Sequence, residues 1–522
     1  MNLEADLVVF NGNIITMDPE NPRATAIAVK NYKFLVVGSE TAVIDLVQSA
    51  KRVIDLGGKT VVPGFVDAHT HMTFAGIQRG HVDLSGAESL EHMKEILRSR
   101  AAETPPGRWI RGYNWDESFW PERRYPTAKD LDEVSTDHPI AIDRVDLHML
   151  VTNTPAMEKL KFPMDHEGVL KDKKGHPLGV FRDIEGMHDK FPMDYEELCD
   201  AVVRGSRLAN SHGITTVVDN VRPDQIRPIS DCERKRLLTA RYVVNPRAEQ
   251  LKHMTSIGLT SGFGGPMFRI GGVKSFMDGS IGSRTAYLSE PYTDDPENVG
   301  KLFIEEKKMK RFLAKAIDNG VQTVTHAIGD RAIDTLLSAF EGLSEKRRAL
   351  VREQRHRIEH AEMMTKDQIR RAVSLGLILS MQPNFVGRWQ GPGGLYEQRL
   401  GEDRTSRMNM FRVALDNGAR ICFGSDGMPY GPLYGIWAAT THPNPKVRIS
   451  VEEALRCYTL EGAYSVFMER TVGSITVGKR ADFVVLSEDI MTIDPMKIKD
   501  VQIESTFVGG IEEFSRARNR GF

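Results

Sequence analysis

Cysteine is scarce in this chain. Its 522 residues hold 4, at Cys199, Cys232, Cys422 and Cys457, and no two form a C-x-x-C pair. That pattern excludes a zinc knuckle and a disulfide framework, and scattered thiols suit a reducing cytosol. A charge excess is lacking too. Lys+Arg number 69 against 71 Asp+Glu, a net charge of −2, so no electrostatic case arises for nucleic acid or an anionic membrane. No apolar run reaches the roughly 20 residues of a membrane span. The opening MNLEADLVVF has neither the basic nor the long apolar region of a signal peptide. Internal repeats and low-complexity tracts are absent as well. The expectation is a cytoplasmic protein whose partner is a small molecule, with a homodimer left open as the assembly.

What is present is ordinary globular enzyme composition, 40% hydrophobic and 27% charged. The length suits one barrel and an accessory module. Short strands LVVF (7–10), NIITM (13–17), AIAVKN (26–31) and FLVVGS (34–39) are punctuated by turns at NGN (11–13) and Asn31. The same texture returns in GSITVGKRADFVVLSEDI (473–490) and VQIESTFVGG (501–510). Residues 1–60 and 465–522 therefore predict one discontinuous small β-sandwich built from both termini.

Between them, over 61–464, strands alternate with helices. One buried strand is expected from Val61 into His69. Seven more follow at 213–219, 240–246, 271–279, 321–326, 356–360, 377–383 and 419–426, with helices such as 307–319, 330–344, 366–375 and 404–417. Eight such repeats predict an α/β fold of the (β/α)8 TIM-barrel type. Residues from about 78 to 200, polar and rich in Trp and Pro, exceed one loop. They read as an insertion after the first barrel strand that covers the active-site mouth.

In a barrel, the C-terminal ends of the strands converge. Six polar or ionisable residues fall there: His69 and His71, Lys274, His326, His360 and Asp426. His69 and His71 alternate along one strand and project from the same side, so both can bind one metal ion. Singly, each of the six has a packing or turn role open to it. Six together at strand ends point to a metal centre. Imidazole with mixed oxygen suits zinc first, with iron or manganese as alternatives.

Several stretches carry a family resemblance: PGFVDAHTH (63–71), NWDESFWPERRYPTAKDLD (114–132), VKSFMDGSIGSRTA (273–286), THAIGDRAID (325–334), RIEHAE (357–362), FGSDGMP (423–429) and VGSITVGKRADFVVL (472–486). The sequence resembles the amidohydrolase superfamily, and within it the amidohydrolase-3 branch of YtcJ-like and N-substituted formamide deformylase-like proteins. The resemblance implies a divalent metal, zinc first, as one or two ions. His69 and His71 would hold the more buried ion, and His326 and His360 the more exposed one. Lys274 would be N-carboxylated and bridge them, with a mononuclear site as the fallback. Asp426 would bind metal and shuttle the proton. The implied reaction is hydrolysis of a non-peptide C–N bond in an amide, formamide or cyclic amide by activated water. A lyase or isomerase on the same scaffold, or a non-catalytic assembly protein, are the alternatives. His148, Trp115, Asp278 and Arg284 are the substrate-contact candidates. Trp115 and Trp120 have an equal claim to be the insertion's own core, and Asp330 to be a helix cap.

Overall fold

The structure is a computed structural model that describes residues 4–145, 149–182, 193 and 195–518. The chain divides into two compact units, residues 1–73 with 205–522, and residues 74–204.

Among the described residues, the first unit is built on nine parallel strands. They are β1 (Phe65–Thr70), β2 (Ile214–Val221), β3 (Arg241–Pro246), β4 (Phe268–Ile270), β5 (Val273–Phe276), β6 (Thr323–Ala327), β7 (Arg357–His360), β8 (Ile378–Met381) and β9 (Arg420–Phe423). β1–β2–β3–β4 pair in order as one sheet and β5 to β9 as another. The strands are short and rich in Val, Ile and Thr, as two-sided burial requires. The expected eight are present, and β4 is an addition the sequence reading lacked. It pairs with β3 through Tyr242–Phe268, Val243–Arg269 and Val244–Ile270. Between β3 and β5, the Gly271 N–H donates to the Val244 carbonyl at 2.8 Å. Between β9 and β1, the Asp426 N–H donates to the His69 carbonyl at 2.8 Å.

The expected single strand through Val61 is in fact two. Thr60–Pro63 pairs with Phe483–Leu486 and Asn13–Ile15, whereas Phe65–Thr70 pairs with β2. Gly64 is the joint: a Cβ there would stand 2.3 Å from Thr215 Oγ1, so only glycine lets the chain change sheets. Helices Glu306–Asp318, Asp330–Glu341 and Lys366–Leu375 lie where periodicity placed them. The first buries Met309, Leu313, Ala316 and Ile317, one helical stripe. The helix expected over 404–417 is instead split into Glu402–Ser406 and Phe411–Asp416. Asn409, left-handed at φ 50, breaks it, and its N–H donates to the Glu362 carbonyl at 2.8 Å.

Strands from both chain ends mix in the same unit. One sheet runs in the order Ile511–Ser515, Ile503–Val508, Phe483–Leu486, Thr60–Pro63, Asn13–Ile15, Arg23–Ala24. A second holds Lys33–Gly38, Ala26–Lys30, Leu7–Phe10 and Val53–Asp55. One apolar cluster draws on both, including Val9, Ile27, Phe34, Val61, Phe483 and Phe507.

Among its described residues, the unit of residues 74–204 has its own six-stranded sheet and its own apolar core. Among the described residues no helix is long and apolar enough to cross a membrane.

Candidate metal centre

His69 is the second-last residue of β1, its side chain 1% exposed; His71 follows just beyond, 35% exposed. Their Nε2 atoms stand 3.7 and 3.2 Å from Asp426 Oδ1. Ligand atoms of these three residues all lie within 4.8 Å of one another. The approach of β9 to β1 makes this possible. A Cβ on Gly424 would lie 2.4 Å from the His69 backbone nitrogen, so glycine alone allows the two backbones to touch. Asp426 then turns back in the left-handed region, at φ 51.

Each imidazole is oriented from behind. His71 Nδ1 faces the Asn220 carbonyl at 3.2 Å, which leaves Nε2 free. His69 Nδ1 is bonded to the Glu359 carboxylate, which again leaves Nε2. Lys274 from β5 brings Nζ to 3.1 Å from that Nε2. His326 Nε2 faces the Gly279 carbonyl at 3.0 Å, so Nδ1 is its available ligand atom. His360 closes β7 in the left-handed region at φ 71, and its buried Nδ1 has no hydrogen-bond partner among the described residues. Its ring centroid stands 4.4 Å from that of His326 and 4.8 Å from that of His69. Backbone in such sparsely populated regions is retained where surrounding structure imposes it, often at functional sites.

The electrostatics favour ligation. Burial pushes His326 down to about 3, with the Lys274 charge adding to the effect. Burial drives His69 and His360 down as well, so the imidazoles of His69, His326 and His360 are neutral at pH 7, as ligands must be. Burial lowers Lys274 to about 8 against the opposing charges of Glu359 and Asp426. For Asp426, burial alone would raise the carboxyl, but His69, His71 and Lys274 hold it ionised, at about 2. Neutral imidazoles, an ionised carboxylate and an orphaned buried nitrogen together fit a divalent cation.

Three supporting acids escaped the sequence reading. Glu359 orients His69. Asp219, at the end of β2, accepts the Met72 and Thr73 N–H groups at 2.8 and 3.0 Å and so holds the turn after His71. Asp67 accepts the Ser425 N–H at 2.9 Å beside Asp426. Asp67 and Glu359 lay inside the family-like stretches and Asp219 at the end of the expected strand 213–219. Their position on the strand was visible, but their partners were not.

The substrate-contact candidates fare differently. Trp115 is fully buried in the core of residues 74–204. Its ring lies 6.1 Å from that of Trp120 and its indole N–H donates to the Ile142 carbonyl at 3.3 Å. The packing role is the one it takes. Asp278 is fully buried and accepts the Tyr287, Ile328 and Gly329 N–H groups at 2.9, 3.1 and 2.8 Å. It braces the loop after β6, and burial pushes its carboxyl up to about 7. Arg284 commits its guanidinium to Asp294, at 3.1 and 2.8 Å. Asp330 begins its helix as the first residue rather than the cap, and accepts the Ser289 N–H at 2.9 Å. His148 lies outside the described residues.

Known proteins share this arrangement of chain. A putative amidohydrolase, YtcJ of Bacillus subtilis (strain 168), is 28% identical over 96% of this chain and 97% of its own. The N-substituted formamide deformylase of Arthrobacter pascens is 26% identical over 98% of both. A crystal structure of an uncharacterized metal-dependent hydrolase from Pyrococcus furiosus superposes with a TM-score of 0.80. It is 28% identical, covering 93% of this chain and 100% of that one. The amidohydrolase family model matches residues 52–511, a span that takes in every ligand candidate above, and the chain belongs to that family.

Proposed function

We propose that the protein is a metal-dependent hydrolase of a non-peptide C–N bond in an amide, formamide or cyclic amide. The observation that carries this reading is the convergence of His69, His71 and Asp426 within 4.8 Å, with Lys274 3.1 Å from His69. The two parallel sheets then read as one closed (β/α)8 barrel carrying an extra short strand, with the terminal sheets as a composite β-sandwich beside it.

His69, His71 and Asp426 would hold a divalent ion, zinc first, with His326 and His360 available for a second. Bound there, the ion supplies an activated water and polarises the scissile carbonyl. Lys274 must change to take part, because an ammonium has no lone pair to offer. At about 8 its amine is partly neutral near pH 7, and a neutral amine forms a C–N bond to CO2 and releases a proton to solvent to give a carbamate, an oxygen ligand. Asp426 takes the proton from the attacking water and passes it to the leaving nitrogen. A C–O bond forms, the C–N bond breaks, and the products are a carboxylic acid and an amine.

The test is a screen of N-formyl, N-acetyl and cyclic amides with zinc, manganese and iron, N-formyl amines first because a deformylase is among the relatives. His69→Ala should abolish turnover and lower bound metal. Lys274→Ala should lose turnover and recover part of it with short carboxylic acids. Wild-type protein that retains less than about half an equivalent of metal, when such sites bind tightly as a rule, and cleaves none of the panel would favour the non-catalytic reading instead.

A further inference from the structure

A buried ion pair behind His69 has no task in the reaction just described. Arg357 and Glu359 are two residues apart on β7, so they leave the same face of the strand, and neither is exposed (0% each). Arg357 Nε donates to Glu359 Oε1 at 2.7 Å, and Nη2 to Oε2 at 2.9 Å. The same Nη2 donates to the Ala68 carbonyl at 2.6 Å and to Ser380 Oγ at 3.0 Å. Ala68 belongs to β1 and Ser380 to β8. One guanidinium thus ties a strand of the first parallel sheet to two strands of the second. Glu359 Oε2, pulled in on that side, is bonded on the other to His69 Nδ1.

Stability alone does not account for this arrangement. A buried ion pair is often no more stabilising than apolar residues of the same volume. Packing has no need for the carboxylate to end on one particular nitrogen of one imidazole. The companion histidine also differs. His71 leans on a neutral backbone carbonyl at 3.2 Å, a weaker partner than an ionised carboxylate.

We propose that Glu359, clamped by Arg357, is a positioning residue that keeps His69 in its Nδ1–H tautomer with Nε2 aimed at Lys274 and Asp426, and thereby sets the affinity of that subsite for a divalent ion. The proposal rests on the metal-dependent reading above. A free imidazole divides itself between two tautomers and several ring orientations, and only one combination offers a lone pair at the right point. A carboxylate on Nδ1 removes that freedom before the ion arrives and makes Nε2 more basic. Arg357 is needed because an unpaired carboxylate at this depth would be costly. Its bond to Ala68, the residue before His69, fixes backbone and ring from one group.

The test compares zinc affinity of full-length variants by chelator competition, alongside the thermal midpoint of the metal-free protein. Arg357→Met combined with Glu359→Leu removes both charges at similar volume, so the fold should persist. The expected result is a midpoint close to wild type with zinc held about 10–100-fold more weakly. Wild-type affinity in that double variant would overturn the proposal. If the double variant does not fold, Glu359→Asp decides. It keeps a charge beside Arg357 but withdraws the carboxylate from His69 by one methylene. Weakening by about tenfold or more supports the clamp, and unchanged affinity refutes it. A His69→Ala protein with wild-type zinc affinity would be a separate failure, since it removes His69 from the metal centre and takes the hydrolytic reading's first ligand with it.

Discussion

Asp426 is the residue on which the proposed chemistry turns, and its surroundings make a sharp prediction. Its backbone N–H is already committed to the His69 carbonyl at 2.8 Å, so Asp426→Asn should keep the loop in place. The amide is nearly isosteric and retains an acceptor oxygen, but it does not take up a proton at neutral pH. General acid–base catalysis typically contributes about 10²–10⁴-fold, and kcat should fall by that much while most of the metal stays bound. Turnover at the wild-type rate would show that the proton moves through another group. At this scale the six ligand candidates stand out in the sequence because five lie at or just past the ends of strands of a recognisable type, while Lys274 sits inside β5. Glu359 could not be assigned a role, because its partner His69 is 290 residues away along the chain. Spacing along one strand says nothing about what stands across the interior. Trp115 shows the reverse limit: the same indole suits a substrate wall and a packed core, and only its neighbours distinguish them.

At the scale of elements, alternation of Val- and Ile-rich runs with helical stripes located eight strands, because burial on two faces leaves a compositional mark. The mark does not reveal which sheet a residue joins. Thr60–Pro63 and Phe65–Thr70 read as one strand since both halves are fully buried. The change of sheet at Gly64 is a steric fact about Thr215, more than a hundred residues on. β4 was missed for a related reason: three residues, Phe268–Ile270, are too few to show a period. Gly424 offers a test of how closely the strand ends must meet. An added methyl would lie 2.4 Å from the His69 nitrogen and 2.8 Å from its Cα, both backbone atoms that cannot swing aside. Gly424→Ala should therefore lower stability by about 1–3 kcal/mol, the usual cost of overpacking, and weaken metal binding by moving Asp426. Gly86→Ala is the control, with nothing among the described residues within 4 Å of its added methyl. Equal denaturation midpoints and metal content in the two variants would mean that β9 can shift away from β1 at no cost.

For the molecule as a whole, the terminal segments and the parallel strands share more than a boundary. Their common strand texture made a composite of both chain ends readable, but not the bond that anchors it. Arg241, which begins β3, makes a two-pronged ion pair with Asp482, at 2.7 Å on each side, and the two are 3% and 2% exposed. Asp482 also accepts the Gly509 N–H at 2.7 Å. It stands directly before Phe483–Leu486, the strand that pairs with Thr60–Pro63 and hence leads into β1 and His69. Asp482→Ala would leave a guanidinium buried without its counter-charge, which costs about 3–5 kcal/mol. Arg241→Met with Asp482→Leu, which removes both charges, should be far milder. Because the strands are continuous through Gly64, the loss should not be confined to the terminal sheets. Urea unfolding of Asp482→Ala, followed by circular dichroism together with zinc release, should show both signals moving to lower denaturant in step. A first transition that melts part of the sheet structure while zinc stays bound would mean that the terminal sheets are a separable appendage, and that the route from Asp482 to His69 transmits no stability.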